Sequence, residues 1–376
     1  MKLQVLHLIT TLSSGGAEAM LYKLLACMSK EKKIEHAVAS LTGPGIYGPR
    51  FEALGIPVYS LRMDKLKARG VAELIYLLKT RRPDILQTWL YHADFLGTLA
   101  GRLVSIPKIV WNVRCSDMDL DRYSIITRSI FFLLSKLSGF PDAVIVNSRA
   151  GKRFHTEAGY RPARWEIIPN GFDTDRFRPD CDARTRFRKL YGIDPEAPVI
   201  GMVARFDPMK DHANFFTAAG ILKKHLEHAA FVLVGKGIDK QNREIMKLLY
   251  INGLNDGVLL LGERTNIHDI LPSFDICALS SAFGEGFPNV LGEAMSCGVP
   301  CAATDVGDSA FLIGDTGRVA PPGNPEAIAR AWLELLSMSE GQQLRIGAEA
   351  RKRIVERYSI PKVALQYEKL YNDLSA

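Results

Sequence analysis

The chain has 376 residues, enough for two domains of ordinary size, and its 47% hydrophobic and 24% charged residues belong to a globular protein rather than a disordered one. Its net charge of +7 sits in the first part, where residues 1–180 carry 26 Lys and Arg against 17 Asp and Glu (+9), while residues 181–376 carry 22 against 24 (−2). Six cysteines without a CxxC pair or Cys/His ligand spacing argue against a zinc site and a disulfide framework, and no apolar run reaches the roughly 18 residues of a membrane span.

In chain order, short apolar runs alternate with helical patterns. The opening "MKLQVLHLITTLSSGGAEAM" is too short and too interrupted for a signal-peptide core, so a cytoplasmic protein is expected. The predicted strands of the first half are "LQVLHLI", "HAVASLT", "PVYSL", "DILQTW", "KIVWNV" and "AVIVNS". Helical patterns separate most of them, such as Ala17–Ser29 with Met20, Leu21, Leu24, Leu25 and Met28 on one face. The second half repeats the scheme with "PVIGMVA", "AFVLVG", "VLLLG", "DICALS" and "PCAAT", and turns helical after Pro325. Continuous apolar strands alternating with helices predict two doubly wound α/β domains. The seam falls near "PNGFDTDRFRPDCDARTRF", giving domains over 1–178 and 179–355, with 356–376 a last helix that crosses back to the first. Ligands of open α/β sheets bind beyond the carboxyl ends of the strands, so two such edges facing each other predict a cleft.

The loops after strands are therefore where chemistry is expected. "AFGEGFPNVLGEAMSCGVP" follows "DICALS" and carries Glu285 in the loop and Glu293 in a helix running from about Asn289 to Ser296, which Gly298 stops. A helix start suits a phosphate, and carboxylates grip vicinal diols, so the pair fits a nucleotide sugar; a loop carboxylate and a surface helix residue are the plain alternative. "VIGMVARFDPMKDHANF" places Arg205 and Lys210 past a strand and before a helix opening near Asp211, where two cations can neutralise a departing diphosphate. "TTLSSGGAEAM" has Gly15 and Gly16 between strand and helix, and "FVLVGKGIDK" supplies a similar turn at Gly235 and Gly237. Gly43, Gly45 and Gly48 match G-x-G-x-x-G literally, but Pro44 and Pro49 and the missing long helix exclude a dinucleotide fingerprint.

These motifs, in this order, resemble the large "glycosyl transferases group 1" family of retaining GT-B-fold glycosyltransferases. "EGFPNVLGEAM" resembles its E-x7-E signature, "SSGGAE" its glycine loop, "GMVARFDPMKD" its Arg/Lys pair, and "CGVPCAATDVGD" with "GRVAPPGNPEAIA" its C-terminal run. The resemblance implies a GT-B fold and a nucleotide diphosphate sugar as donor, with UDP as the nucleotide and with neither a metal nor a further cofactor. It implies that Arg205 and Lys210 hold the diphosphate, that Glu285 lies against the donor sugar, and that Glu293 binds the ribose. Gly286, Phe287, Pro288, Asn289 and Val290 would line the donor with the Gly235–Gly237 turn, Gly15 and Gly16 its phosphates and the acceptor side, and Arg264 of "LGERTN" the base. His92 of "TWLYHADFLG" matches a histidine beside the donor sugar, with ordinary packing at a helix start as its alternative. At "VGDSAFLIG" the chain departs from the family, since many members have glycine at Asp308 and a glutamate near Ala310 or Phe311.

The implied reaction is retaining transfer of a hexosyl or N-acetylhexosaminyl unit, with Arg205 and Lys210 stabilising the leaving diphosphate as it takes the acceptor's proton. "DRYSIITRSIFFLLSKLSGF" combines an apolar face with Arg122, Arg128 and Lys136, which suits either an anionic membrane surface or a core helix. With the +9 first half it suggests a lipid-linked saccharide or other cell-envelope glycan as acceptor, and an enzyme peripheral to the inner face of the membrane. Three rival readings are a nucleotide-sugar 2-epimerase of the same fold, a nucleic-acid-binding protein suggested by pI ≈ 9.0, for which no recognition motif is present, and a sugar-binding protein without catalysis.

Overall fold

Two all-parallel sheets account for the thirteen strands of the computed structural model, which describes residues 2–64, 67–116, 124–254 and 256–376. The first sheet contains β1 (Leu3–Ile9), β2 (Ile34–Ser40), β3 (Val58–Ser60), β4 (Ile85–Trp89), β5 (Lys108–Val113), β6 (Ala143–Val146) and β7 (Trp165–Ile167), in the order β3-β2-β1-β4-β5-β6-β7. The second contains β8 (Val199–Val203), β9 (Ala230–Val234), β10 (Val258–Leu260), β11 (Ile276–Leu279), β12 (Cys301–Thr304) and β13 (Gly317–Ala320), in the order β10-β9-β8-β11-β12-β13. Each order runs outward from its first strand and then reverses, as in doubly wound Rossmann-like domains. The switch points are therefore β1/β4 in the first sheet and β8/β11 in the second.

The chain divides into two units, Met1–Gly171 with Ile360–Ala376, and Phe172–Ser359. Alternation along β1 explains why the first sheet is covered on both faces. Val5 and Ile9 pack with Leu21, Leu24 and Leu25 of the Gly16–Met28 helix, whereas Leu6 and Leu8 pack with Leu74, Leu78 and Ala100. The last helix, Ile360–Ser375, belongs to the first unit because its stripe of Val363, Tyr367, Leu370 and Tyr371, at helical spacing, is buried in that same core. Each fully buried leucine of this kind contributes about 2 kcal/mol, so the helix is anchored by packing rather than by propensity.

Two strands are absent from the sequence reading, Trp165–Ile167 and Gly317–Ala320, both at sheet edges. The first is three residues long and has no buried member, so it carries no apolar run to detect. The helix expected from about Asn289 to Ser296 spans those residues, with Gly298 beyond it at φ +75°. Gly48 of the rejected glycine pattern opens a five-residue helix, Gly48–Glu52. The basic amphipathic segment forms the helix Ile125–Leu137, which buries Phe131 and Leu134 while Ile125, Ile126 and Phe132 stay exposed; Arg122 lies outside the described residues. No helix among the described residues is long and apolar enough to cross a membrane.

Candidate active site

At the second sheet's switch point, the loops after β8 and β11 meet. Asp207 caps a short turn, Pro208–Lys210, by accepting from the Met209 N–H at 2.9 Å. The Ala282 N–H donates to the Met209 carbonyl at 2.9 Å, and the Ser280 hydroxyl donates to the Lys210 and Asp211 carbonyls at 2.9 and 3.0 Å. This pinning is what brings Lys210 Nζ onto Glu285 Oε1, an ion pair between residues 75 apart in sequence whose side chains are 14% and 7% exposed. Ser281 Oγ donates to the same carboxylate oxygen at 2.5 Å, and the Thr304 hydroxyl holds the Ser281 carbonyl at 2.6 Å. Glu285 is thus a buried acceptor whose orientation is fixed by its neighbours.

Arg205 is placed differently. Its Nε donates to Asp207 Oδ2 at 3.0 Å, a second guanidinium nitrogen lies 3.0 Å from the same oxygen, and its side chain is 59% exposed. Burial pushes the Asp207 carboxyl up, but the Met209 N–H and the Arg205 guanidinium outweigh it, so the group sits below the usual carboxylate range. The Gly235–Gly237 turn backs Arg205 directly. Gly235 has φ +155°, and a Cβ there would fall 2.0 Å from the Ala204 carbonyl oxygen. Phe206 N–H donates to the Lys236 carbonyl at 2.8 Å, which closes the two loops on each other.

The residues around Glu285 are fixed from behind. Asp308 N–H donates to the Gly286 carbonyl at 2.9 Å, and Gly307, at φ +63°, leaves no room for a Cβ, which would fall 2.0 Å from the Glu285 carbonyl oxygen. Phe287 is buried between Phe172, whose ring is 6.1 Å away, and Tyr358 at 5.3 Å. Pro288 is the residue before the Asn289–Ser296 helix, with φ −69°, Asn289 is its first residue, and Val290 packs partly buried against the core. Glu293 is half-buried, and its carboxylate helps burial push the Cys297 thiol up to about 12.

Other sequence candidates stand elsewhere. Arg264 follows the edge strand β10 and lines a cavity of about 470 Å³ with Arg186, Phe187 and Asn266. In the first unit, Gly15 precedes the Gly16–Met28 helix at the end of β1, and His92 stands in the first turn of the Tyr91–Leu103 helix after β4. Burial lowers the His92 ring below the ordinary histidine value, so it is neutral at pH 7. Leu90 before it has φ +73°, a strained conformation for a branched side chain.

The sequence reading missed Ser281, which bonds Glu285, Thr304, which holds the Ser281 carbonyl, and Gly307, which packs on the Glu285 carbonyl. "DVGD" offered the only signal, a glycine two residues after an acidic one at a strand end. It also missed His212, a buried ring pushed down to about 4 by burial and then by Lys210, whose nitrogens have no partner among the described residues.

The sequence model described as "Glycosyl transferases group 1" matches residues 197–338, and that described as "Glycosyltransferase Family 4" matches residues 14–176. The chain belongs to the group 1 glycosyltransferases. Its GT-B fold agrees with the crystal structure of Anabaena HepE in complex with UDP, at TM-score 0.83 and 22% identity over 99% of this chain and 100% of that one. Among relatives, it is 26% identical to an Escherichia coli UDP-Gal:alpha-D-GlcNAc-diphosphoundecaprenol alpha-1,3-galactosyltransferase, over 86% of this chain and 84% of that protein. It is 28% identical to a Mycobacterium tuberculosis GDP-mannose-dependent alpha-(1-6)-phosphatidylinositol monomannoside mannosyltransferase, over 73% and 72%. In this glycosyltransferase, the E-x7-E motif is thus split in two by the structure. Its first glutamate is ion-paired at the switch point, and its second is half-buried about one turn along the helix.

Proposed function

We propose that the protein transfers a hexosyl or N-acetylhexosaminyl unit from a UDP-sugar, with retention of anomeric configuration, to a lipid-linked saccharide of the cell envelope. The observation that carries this reading is the buried Lys210–Glu285 pair at the switch point of the second sheet. A buried lysine is costly unless an anion balances it, and a diphosphate arriving beside it gains a charge-assisted contact at no further ordering cost. Lys210, with Arg205 from the same loop, stabilises the charge that grows on the departing diphosphate, and that diphosphate takes the proton of the acceptor hydroxyl. Glu285 orients the donor sugar, Glu293 the ribose, and the Asn289–Ser296 helix turns its amino end toward the phosphates. The second unit is the donor side and the first the acceptor side, with Gly15, Gly16 and His92 at its switch point.

A lipid-linked acceptor draws support from the names of the two relatives, which specify a diphosphoundecaprenol and a phosphatidylinositol acceptor. It also fits the Ile125–Leu137 helix, whose Ile125, Ile126 and Phe132 are exposed beside Lys136. That helix gives the enzyme a peripheral hold on an anionic bilayer, which vesicle flotation with and without anionic lipid reads directly.

The deciding experiment is a panel of UDP- and GDP-sugars, assayed for nucleotide release with and without diphosphate-linked acceptors. Acceptor-dependent release from one donor, with the product's anomeric configuration assigned by NMR, is expected. No release from any donor under either condition would sink the reading.

A further inference from the structure

At the carboxyl edge of the first sheet, Arg114 directly follows β5 and is a cation that no carboxylate among the described residues balances. Its guanidinium donates to Asn112 Oδ1 at 3.4 Å and to Asn170 Oδ1, and lies over the Trp89 ring at 5.5 Å from the centroid. All of these partners are neutral. They are also rigid. Asn112 Nδ2 donates to the Tyr367 hydroxyl at 2.9 Å, and Trp89 is stacked on the Tyr367 ring at 6.3 Å. Trp89 Nε1–H can only donate, so its 3.3 Å bond makes His7 Nδ1 an acceptor and leaves the His7 proton on Nε2, 3.1 Å from His36 Nδ1. The whole support beneath the guanidinium is therefore an array of uncharged groups. Asp94, on the neighbouring Tyr91–Leu103 helix, is a buried carboxyl pushed up to about 8, hence protonated near neutrality and no counter-ion.

An arginine keeps its charge at any physiological pH, and a charge taken from water without an opposite charge is expensive. Elsewhere the fold meets this rule, since the buried Arg188 is paired to Asp275 at 2.8 Å. Arg114 is only partly buried, and the asparagines and the Tyr367 hydroxyl engage three of its five N–H groups, which leaves two for a ligand. The remaining fork matches the two oxygens of a phosphate or carboxylate.

We infer that Arg114 is the anion-binding residue of an acceptor subsite, its fork held by Asn112, Asn170 and Trp89 to grip an oxyanion on the acceptor. This assignment rests on the glycosyl-transfer reading for the word acceptor, though not for the anion site itself. The oxyanion is either a diphosphate linking the acceptor saccharide to its lipid, or the carboxylate of an acidic sugar.

The test uses the full chain with Arg205→Ala and Lys210→Ala already present, so that the donor-side cations do not bind the probe. Inorganic pyrophosphate and glucuronate are titrated separately by calorimetry. Saturable binding of one probe is expected, weakened at least tenfold by Arg114→Gln and less by Arg114→Lys, which keeps the charge and loses the fork. Binding of pyrophosphate only assigns the diphosphate, and binding of glucuronate only assigns the acidic sugar. Absence of binding by both probes, or equal affinity in the Gln variant, overturns the site. Should Arg114→Gln lower the melting temperature too far to titrate, the Lys variant decides, and affinity equal to the parent's overturns the site there too. In the otherwise native enzyme, Arg114→Gln raises KM for a diphosphate-linked or acidic acceptor at least tenfold and leaves donor KM unchanged. Unchanged acceptor KM for both kinds overturns the role. Pyrophosphate binding through Arg114 in a protein that turns over no nucleotide sugar would reject glycosyl transfer while leaving the anion site standing.

Discussion

The two units build their strand-end loops from opposite electrostatic materials. In the second unit a lysine and a glutamate neutralise each other inside the protein, with Ser281 completing the carboxylate's shell. In the first unit the polar groups at and below the edge are uncharged: His7, His36 and His155 are held neutral by burial, Asp94 keeps its proton, and Arg114 has no carboxylate partner among the described residues. A paired site holds its geometry before any ligand arrives. An unpaired one waits for an anion, and its neutral support depends on pH.

Acid should separate the units most. Buried His36 and His155 stay neutral down to about 4 in the folded first unit, and His7 lies well below the ordinary value as well, whereas unfolded histidines take up protons below 6.5. Their contribution to stability is present above that ordinary value and is lost as pH falls through the window between 6.5 and about 4. Asp94 has the opposite sign, because the folded unit keeps a proton up to about 8 that the unfolded chain releases near 3.8. Four rings, His92 among them, against one carboxyl make the first unit lose stability on acidification through this window. The second unit has His212 as its one such ring and so loses less. Glu18 in the first unit and Asp211 in the second, both raised by burial, offset each other across the comparison. Hydrogen exchange at stepped pH should show β1 and β4 losing protection at a higher pH than β8 and β11. A common midpoint for both would break the contrast.

Removing one member of the buried pair should have the next largest effect. Lys210→Ala leaves Glu285 buried without its cation, which costs about 3 kcal/mol of stability and about 10² to 10³ in kcat/KM. Glu285→Gln keeps an acceptor for Ser281 and removes the carboxylate's charge, so it should lose activity with a smaller loss of melting temperature. If Lys210→Ala were as stable and as active as the parent, the pair would be neither structural support nor donor machinery.

Much of this was legible in the sequence, for identifiable reasons. Strands such as Ile85–Trp89, buried at every position, read as continuous apolar runs, and the order of strand, glycine turn and helix gave the doubly wound pattern. Lys210 and Glu285 could be singled out because each stands just past a strand end. Their direct contact could not, because it depends on the β8/β11 adjacency and on Ser280 and Ala282 holding the Pro208–Lys210 turn. Arg205 and Lys210 looked equivalent in sequence, yet Asp207, two residues from Arg205, captures its guanidinium. Arg114 also stands just past a strand end, but no glycine turn or second charge directly beside it marked it out. Its neutral surroundings are assembled from Trp89, Asn112, Asn170 and Tyr367, which no local pattern brings together.

A backbone change tests whether Glu285 is held from behind. Gly307→Ala places a Cβ against the Glu285 carbonyl in a left-handed conformation, whereas Gly323→Ala, at φ +66°, meets nothing within 4 Å. The conformational term costs about 1 kcal/mol at either position, so the contrast isolates the contact. Both variants should lose a few degrees of melting temperature, and only Gly307→Ala should lose kcat/KM, by about tenfold as the loop is pushed off its geometry. Equal activity in the two would mean that Glu285's loop tolerates displacement.

The smallest stability effect is expected at Arg205, and it sharpens the comparison because the same residue is proposed to matter for rate. Its ion pair with Asp207 is largely exposed, and such pairs are worth about 0.5 kcal/mol or less. Arg205→Ala should therefore leave the melting temperature within about a degree or two of the parent. Charge on the departing diphosphate grows only in the transition state, so the loss should appear in kcat as well as kcat/KM, by about tenfold or more. A variant with unchanged kcat and a raised donor KM would recast Arg205 as a residue that binds donor and transition state alike. Lys210 would then be left to carry the stabilisation of the leaving group, from within its buried ion pair with Glu285.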